Sequence, residues 1–169
     1  EGYQNIIQQQ QQYNVHTAIQ ALETTFDIDT QMSILDQHLH LLNIPASHIA
    51  LYVNDGETFT GTQNTPIPQH VQQILTYDQS GNAVINTTAE PVPTLEVFRQ
   101  ALSSSQSKTL VATTLHVLEE HLGIALFQLG PRQGFIYETL RAQISNSIRG
   151  AMLFQEILQR EKEHQALLT

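Results

Sequence analysis

The stretch from Lys108 to Arg160 constrains the fold of this chain most. It reads as strand, tight connection, strand, short loop and long helix. The first apolar run is Thr109-Leu-Val-Ala-Thr-Thr-Leu-His-Val117, and the second is Gly123-Ile-Ala-Leu-Phe-Gln-Leu129. Gly130-Pro131-Arg132-Gln133-Gly134 breaks the second run, because glycine and proline punctuate regular structure. From Phe135 to about His164 there is no proline, and the only glycine is Gly150. A hairpin feeding a helix of that length places the helix against the sheet and then beyond it. Such a helix suits a module that transmits or dimerises better than one that does chemistry.

The helix carries two apolar stripes. Leu140, Ile144, Ser147, Ala151, Phe154 and Leu158 recur at spacings of four and three, and Ile136, Ile148, Met152 and Ile157 form an adjacent set. One stripe can cover the sheet. The other needs a different partner, and a second copy of the same helix is the simplest one. Ala151, Phe154 and Leu158 are therefore the expected homodimer contact. Beyond Leu158 the pattern thins into Gln-Arg-Glu-Lys-Glu-His, a solvated helix or linker.

Composition narrows the function classes. Seven basic and sixteen acidic residues leave a net charge of −9, and the two lysines, Lys108 and Lys162, cannot build the basic patch that nucleic acid needs. There is no cysteine, which removes disulfides, thiolate metal sites and redox thiols from consideration and fits a reducing, cytoplasmic setting. No apolar run approaches the roughly 18 residues that span a bilayer. The chain opens on Glu1 rather than Met, as a processed chain or a piece cut from a longer protein would, the second being the plainer reading.

Upstream of the hairpin, Val15, Ile19, Leu22 and Phe26 lie on one helical face, so the segment from Tyr3 to about Thr25 is expected to be a helix with a Gln-rich, projecting first half. Asp29 or Thr30 is expected to cap a second helix, whose face is Ile28, Met32, Leu35, Leu39 and Leu42. Asn43-Ile44-Pro45 stops it. Ile49 to Val53 and Val71 to Tyr77 are strand candidates, Asn54-Asp55-Gly56 is a turn, and Asn82 to Thr88 can return as a short strand. Glu57 to Val92 reads as a long loop or a lid around these. A short helix is expected from Thr94 to Leu102, with Leu95, Phe98 and Leu102 on its inner face, followed by a loop at Ser103 to Ser107. Strands adjacent in sequence predict an α+β fold with a mainly antiparallel central sheet flanked by the N- and C-terminal helices.

These residues carry a family likeness. Two amphipathic helices, a first strand His48-Ile-Ala-Leu-Tyr-Val-Asn54, a variable middle, the hairpin Leu110 to Val117 with Glu120-His-Leu-Gly-Ile-Ala-Leu-Phe-Gln-Leu-Gly130, and a terminal helix resemble a GAF domain of a multidomain bacterial signalling protein. The resemblance implies an N-terminal signalling helix at 1–25, a GAF-like core at 26–134 and a C-terminal helix at 135–169 leading to a kinase, cyclase or DNA-binding output domain. It also implies a non-enzymatic sensory and dimerising module, with no cofactor, that relays a small-molecule or inter-domain signal through its terminal helices. The chain departs from the family's known ligand classes. It has no cysteine for bilin attachment or for methionine sulfoxide reduction, and it lacks the Asn-Lys…Phe…Asp-Glu signature of cyclic-nucleotide binders. A purely structural spacer, or a small enzyme, are the alternatives.

Candidate site residues follow. Tyr52, Tyr77 and His116 sit in or at the ends of strands and could put polar tips into an apolar ligand cavity. Half-buried residues with wet polar ends are the plainer interpretation of each. Arg132, in the loop before a helix N-terminus, could hold an anion, although glycines and a proline there also serve the turn alone. The eight histidines show no metal-ligand spacing. Glu119 and Glu120 read as a solvated turn, and Arg99, Arg141 and Arg149 as ion-pair partners.

Overall fold

The computed structural model describes residues 2–54, 57–58, 68–78, 80, 82–104 and 109–168. Helix α1 (Gly2–Leu22) and helix α2 (Ile28–Leu41) precede strands β1 (Ser47–Asn54), β2 (Glu57–Thr58), β3 (His70–Tyr77), β4 (Ala83–Ile85) and β5 (Val92–Pro93). Helix α3 (Thr94–Ser104), the hairpin β6 (Leu110–Val117) and β7 (Glu120–Gln128), and helix α4 (Gly134–Leu168) follow. The sheet order is β4-β3-β1-β7-β6, every pairing is antiparallel, and β2 and β5 add short edges to β1 and β3. This is the expected α+β architecture.

Alternation of side chains along each strand divides the residues between two faces. Ile49, Leu51, Leu75, Leu115, Ala125 and Phe127 pack against α1, α2 and α4 in one large apolar core. Ala50, Tyr52, Val71, Ile124 and Leu126 form a smaller cluster with Val97 and Ala101 of α3 on the other face. The strands at the centre approach closely at Gly123, where a Cβ would lie 2.0 Å from the Ala50 carbonyl oxygen. Only glycine fits there.

The helical face is pinned by polar contacts. Asp27, not Asp29 or Thr30, caps α2: its carboxylate accepts the Thr30 amide at 2.9 Å and the Thr30 hydroxyl at 2.6 Å, and α2 begins at Ile28. Those two bonds hold the Asp27 carboxyl below the usual range. Gln31 is buried, and its Nε2 donates to the Thr25 carbonyl at 2.9 Å and the Ser147 carbonyl at 3.0 Å, tying the α1–α2 link to α4. Asn14 of α1 donates to the Leu41 carbonyl at the end of α2. The neighbouring Asn43 carbonyl sits against Gly130, just before α4. Leu22 and Phe26 lie instead beside Gln143, Ser147 and Gly150. Helices α1 and α4 therefore run parallel, and their outer halves leave the body at opposite ends.

Several boundaries and faces differ from the sequence expectation. Helix α1 stops at Leu22 rather than Thr25, and β1 starts at Ser47 because Ser47 pairs with both Tyr77 and Phe127. Strand β4 is confined to Ala83–Ile85. Helix α3 lies down on Val97 and Ala101, leaving Leu95 80 % and Leu102 57 % exposed; Phe98 alone of the expected trio is half-buried. Small residues at this i, i+4 pair let α3 sit close to the sheet. The hairpin connection is two residues, Leu118 and Glu119, with Leu118 at φ 53° and 91 % exposed. Helix α3 runs on through Ser103 and Ser104, where the sequence predicts that a loop begins; the Asn54-Asp55-Gly56 turn, most of the loop after it, and Ser105 to Lys108 lie at least partly outside the described residues.

Candidate functional site

Tyr52, Tyr77 and His116 do not converge. Tyr52 is buried in the α3-side cluster, whereas Tyr77 belongs to the core on the opposite face. His116 is on β6, three strands from β3 in the sheet order, or about 14 Å at the usual strand spacing. The Tyr77 hydroxyl lies 2.8 Å from His40 Nδ1 at the end of α2, and burial, then the charges of Asp36 and Asp78, hold its pKa above the ordinary value. Burial likewise raises Tyr52. His116 is held by α4: its amide donates to Ser145 Oγ at 3.1 Å, and Arg141 Nη1 lies 3.1 Å from its Nε2 and donates to its carbonyl oxygen. These contacts dock the hairpin on α4 rather than open a pocket.

Arg132 is exposed. The loop that carries it is fastened by Tyr137, whose hydroxyl accepts the Gly130 amide at 2.9 Å and donates to the Pro131 carbonyl at 2.6 Å. The Gly130 amide is thus already engaged, which takes one donor from the proposed anion site. The arginines expected to form ion pairs do so, Arg99 with Glu96, Arg141 with Glu138 and Arg149 with Glu120. Among the described residues no group of three His, Cys, Asp or Glu is placed to hold a metal ion.

The three helical candidates separate as well. Ala151 is fully buried within the fold and has no surface left for a partner. Phe154 is 41 % exposed and stacks on Phe26 at a centroid distance of 5.5 Å. Leu158 is half-buried, and Leu153 and Ile157 are exposed on the same stretch of α4. Beside it, Val117, Leu118, Glu119, Glu120, Arg149 and Leu153 line a largely apolar hollow of about 700 Å³ between the hairpin tip and α4.

The residues that do converge lie under α3. His48, at the start of β1, pairs across the sheet with Thr76 of β3. His48, Thr76, Asp78, Gln100 and Ser103 line a cleft of about 300 Å³. His48 is only 6 % exposed, and its burial pushes its pKa down, so the ring is held neutral. Its Nδ1 lies 3.4 Å from Gln73 Oε1, and Gln73 Nε2 donates to Gln100 Oε1 of α3 at 3.1 Å. Sequence reasoning passed over this group. The available signal was Gln72-Gln73 inside an apolar strand, where one of two adjacent polar residues must face inward.

No protein-family profile matches the chain, and no curated protein matches its sequence. Solved structures match its fold. A GAF domain from an Acinetobacter phosphoenolpyruvate-protein phosphotransferase superposes with a TM-score of 0.56 at 11 % identity, covering 86 % of this chain and 97 % of that one. Residues 122 to 287 of a methyl-accepting chemotaxis protein superpose with a TM-score of 0.53 at 13 % identity, covering 81 % and 98 %. The fold is GAF-like. No helix among the described residues is long and apolar enough to cross a membrane.

Proposed function

We propose that this chain is a non-catalytic regulatory module of a multidomain signalling protein, relaying a signal between its cleft and its terminal helices. The observation that carries this reading is the arrangement of α1 and α4. They pack side by side, are joined at Gln31 through the link that follows α1, and project from opposite ends of the body. A small molecule in the α3 cleft, or a displacement of a neighbouring domain, would bias the packing of those helices between two states. The regulatory context of the two structural neighbours supports the same class. An N-terminal signalling helix, a core at 26–134 and an output domain after α4 complete the proposal.

The exposed stripe Leu153, Phe154 and Ile157, with half-buried Leu158 beside it, supports a homodimer contact on the outer half of α4. The apolar hollow beside the hairpin tip adjoins it. Sedimentation at several protein concentrations tests this. A dimer that Phe154→Glu converts to monomer supports the contact; a strict monomer, or a dimer indifferent to Phe154→Glu, removes it. A second reading, a structural spacer without a ligand, is favoured by the small size of the cleft. A thermal-shift screen with nucleotides, amino acids and aromatic metabolites separates the two, since a spacer gains stability from none of them.

A further inference from the structure

The hydrogen bonds under α3 have a direction. Glu96 sits in the first turn of α3, paired with Arg99, and a carboxylate can only accept. Gln100 Nε2 therefore turns toward Glu96 Oε1, 3.4 Å away. That leaves Gln100 Oε1 to accept from Gln73 Nε2. Gln73 Oε1 must then face His48 Nδ1 and the Thr76 hydroxyl, each 3.4 Å away. An amide oxygen accepts only, so Nδ1 carries the proton of the neutral ring. His48 Nε2 is left as a lone pair with no hydrogen-bond partner among the described residues, on a side chain that lines the cleft.

We infer that Glu96 sets the tautomer of His48 through Gln100 and Gln73, and that the cleft takes a small N–H-donating molecule that is neutral or cationic and bears no negative charge. The remaining lining points the same way. Asp78 contributes a carboxylate engaged with Ser80 and Asn82. The lining among the described residues contains no lysine or arginine. Among the described lining residues a carboxylate or phosphate ligand would meet a lone pair and a carboxylate and no counter-charge, whereas an amide, amidine or N–H heterocycle finds acceptors. The ligand assignment rests on reading the cleft as the sensor site; the tautomer assignment does not.

Three probes of one shape test it: benzamidine, benzamide and benzoate. Nitrogen NMR of the histidine rings, at neutral pH and without probe, is expected to show His48 as the Nδ1–H form. Titration is expected to move His48 and Thr76 signals with benzamidine and benzamide, and benzamidine should bind at least tenfold more tightly than benzoate. Glu96→Lys puts a donor where the acceptor was. Glu96 is half-buried in the first turn of α3, circular dichroism checks that the variant keeps its fold, and the chain of amides should reverse, switching His48 to Nε2–H and the preference toward benzoate. An Nε2–H ring in the unaltered protein, or an unchanged tautomer in Glu96→Lys, overturns the relay. Benzoate binding as well as benzamidine, or none of the three binding, overturns the ligand class. Loss of the dimer in sedimentation would touch neither result, so failure of the helix-relay reading is separable from failure of this one.

Discussion

The two faces of the sheet are built for different purposes. The face under α1, α2 and α4 is sealed: Met32, Leu35, Leu39, Ile74, Leu75 and Phe127 are each at most 1 % exposed, and Tyr137 tilts against Phe127 at 6.0 Å. The face under α3 is thinner. Among the described residues one helix of 11 residues covers it, resting on Val97 and Ala101, and a histidine, two glutamines and a threonine share the space with the apolar side chains. A sheet this lopsided can keep its stability on one side and its specificity on the other. Apolar burial supplies stability without direction, whereas a satisfied polar network specifies one arrangement at little net gain.

That division can be broken experimentally. The largest effect is expected at the seam that both faces share. Gly123→Ala drives a Cβ into the Ala50 carbonyl, and the β1–β7 pairing cannot form around it; circular dichroism should show loss of the cooperative fold, and a native-like variant would refute the close approach. Next comes a matched pair of truncations. Leu39→Ala on the sealed face should cost about 2–5 kcal/mol in urea unfolding, and Val97→Ala under α3 about 1–2 kcal/mol from the methyl groups lost. Equal costs would erase the distinction between the faces.

A smaller effect is expected from pH. Burial lowers the His48 pKa below its unfolded value, so the unfolded chain binds the proton more readily. The stability tied to the neutral ring is complete above the unfolded pKa, near 6.5, and is lost as pH falls below it toward the folded pKa. His48→Asn should flatten the urea midpoint across that window; an unchanged slope would mean that the ring is not held neutral. Smallest of all, Leu95→Ala and Leu102→Ala should each shift stability by no more than about 0.5 kcal/mol, as exposed positions do. A core-sized loss at either would return α3 to the face expected from its leucines.

Much of the sealed face was legible in the sequence, because it is written in periodic apolar residues. Ile28, Met32, Leu35, Leu39 and Leu42 announced α2, and the strands Ile49–Val53 and Val71–Tyr77 lie inside β1 and β3. The other face was misread at two places for one reason. Hydrophobicity assigns the larger apolar residue to the interior, so Leu95 and Leu102 outranked Val97 and Ala101. Close packing of a short helix on a sheet rewards the smaller ones. Beyond the Gln72-Gln73 pair, the polar group His48, Gln73 and Gln100 could not be assembled from sequence, because its members lie on three elements and meet only through the β1–β3 register and the seating of α3. Ala151 was assigned to a partner because its stripe continues into Phe154 and Leu158, yet the helix leaves the body just past it.

Gln31 turns that departure into something countable. Its Nε2 protons are both committed, one to the link after α1 and one to α4, while its Oε1 is buried without a hydrogen-bond partner among the described residues. A rotation of α4 about its own axis carries the Ser147 carbonyl away and strips the clasp of one acceptor. A buried amide resists such a loss over a few tenths of an ångström, since hydrogen bonds weaken steeply with misalignment. The helix leaving the body therefore behaves less like a spring than like a latch. Small twisting is resisted, and once the bond is lost the unpartnered oxygen gives the junction a reason to repack.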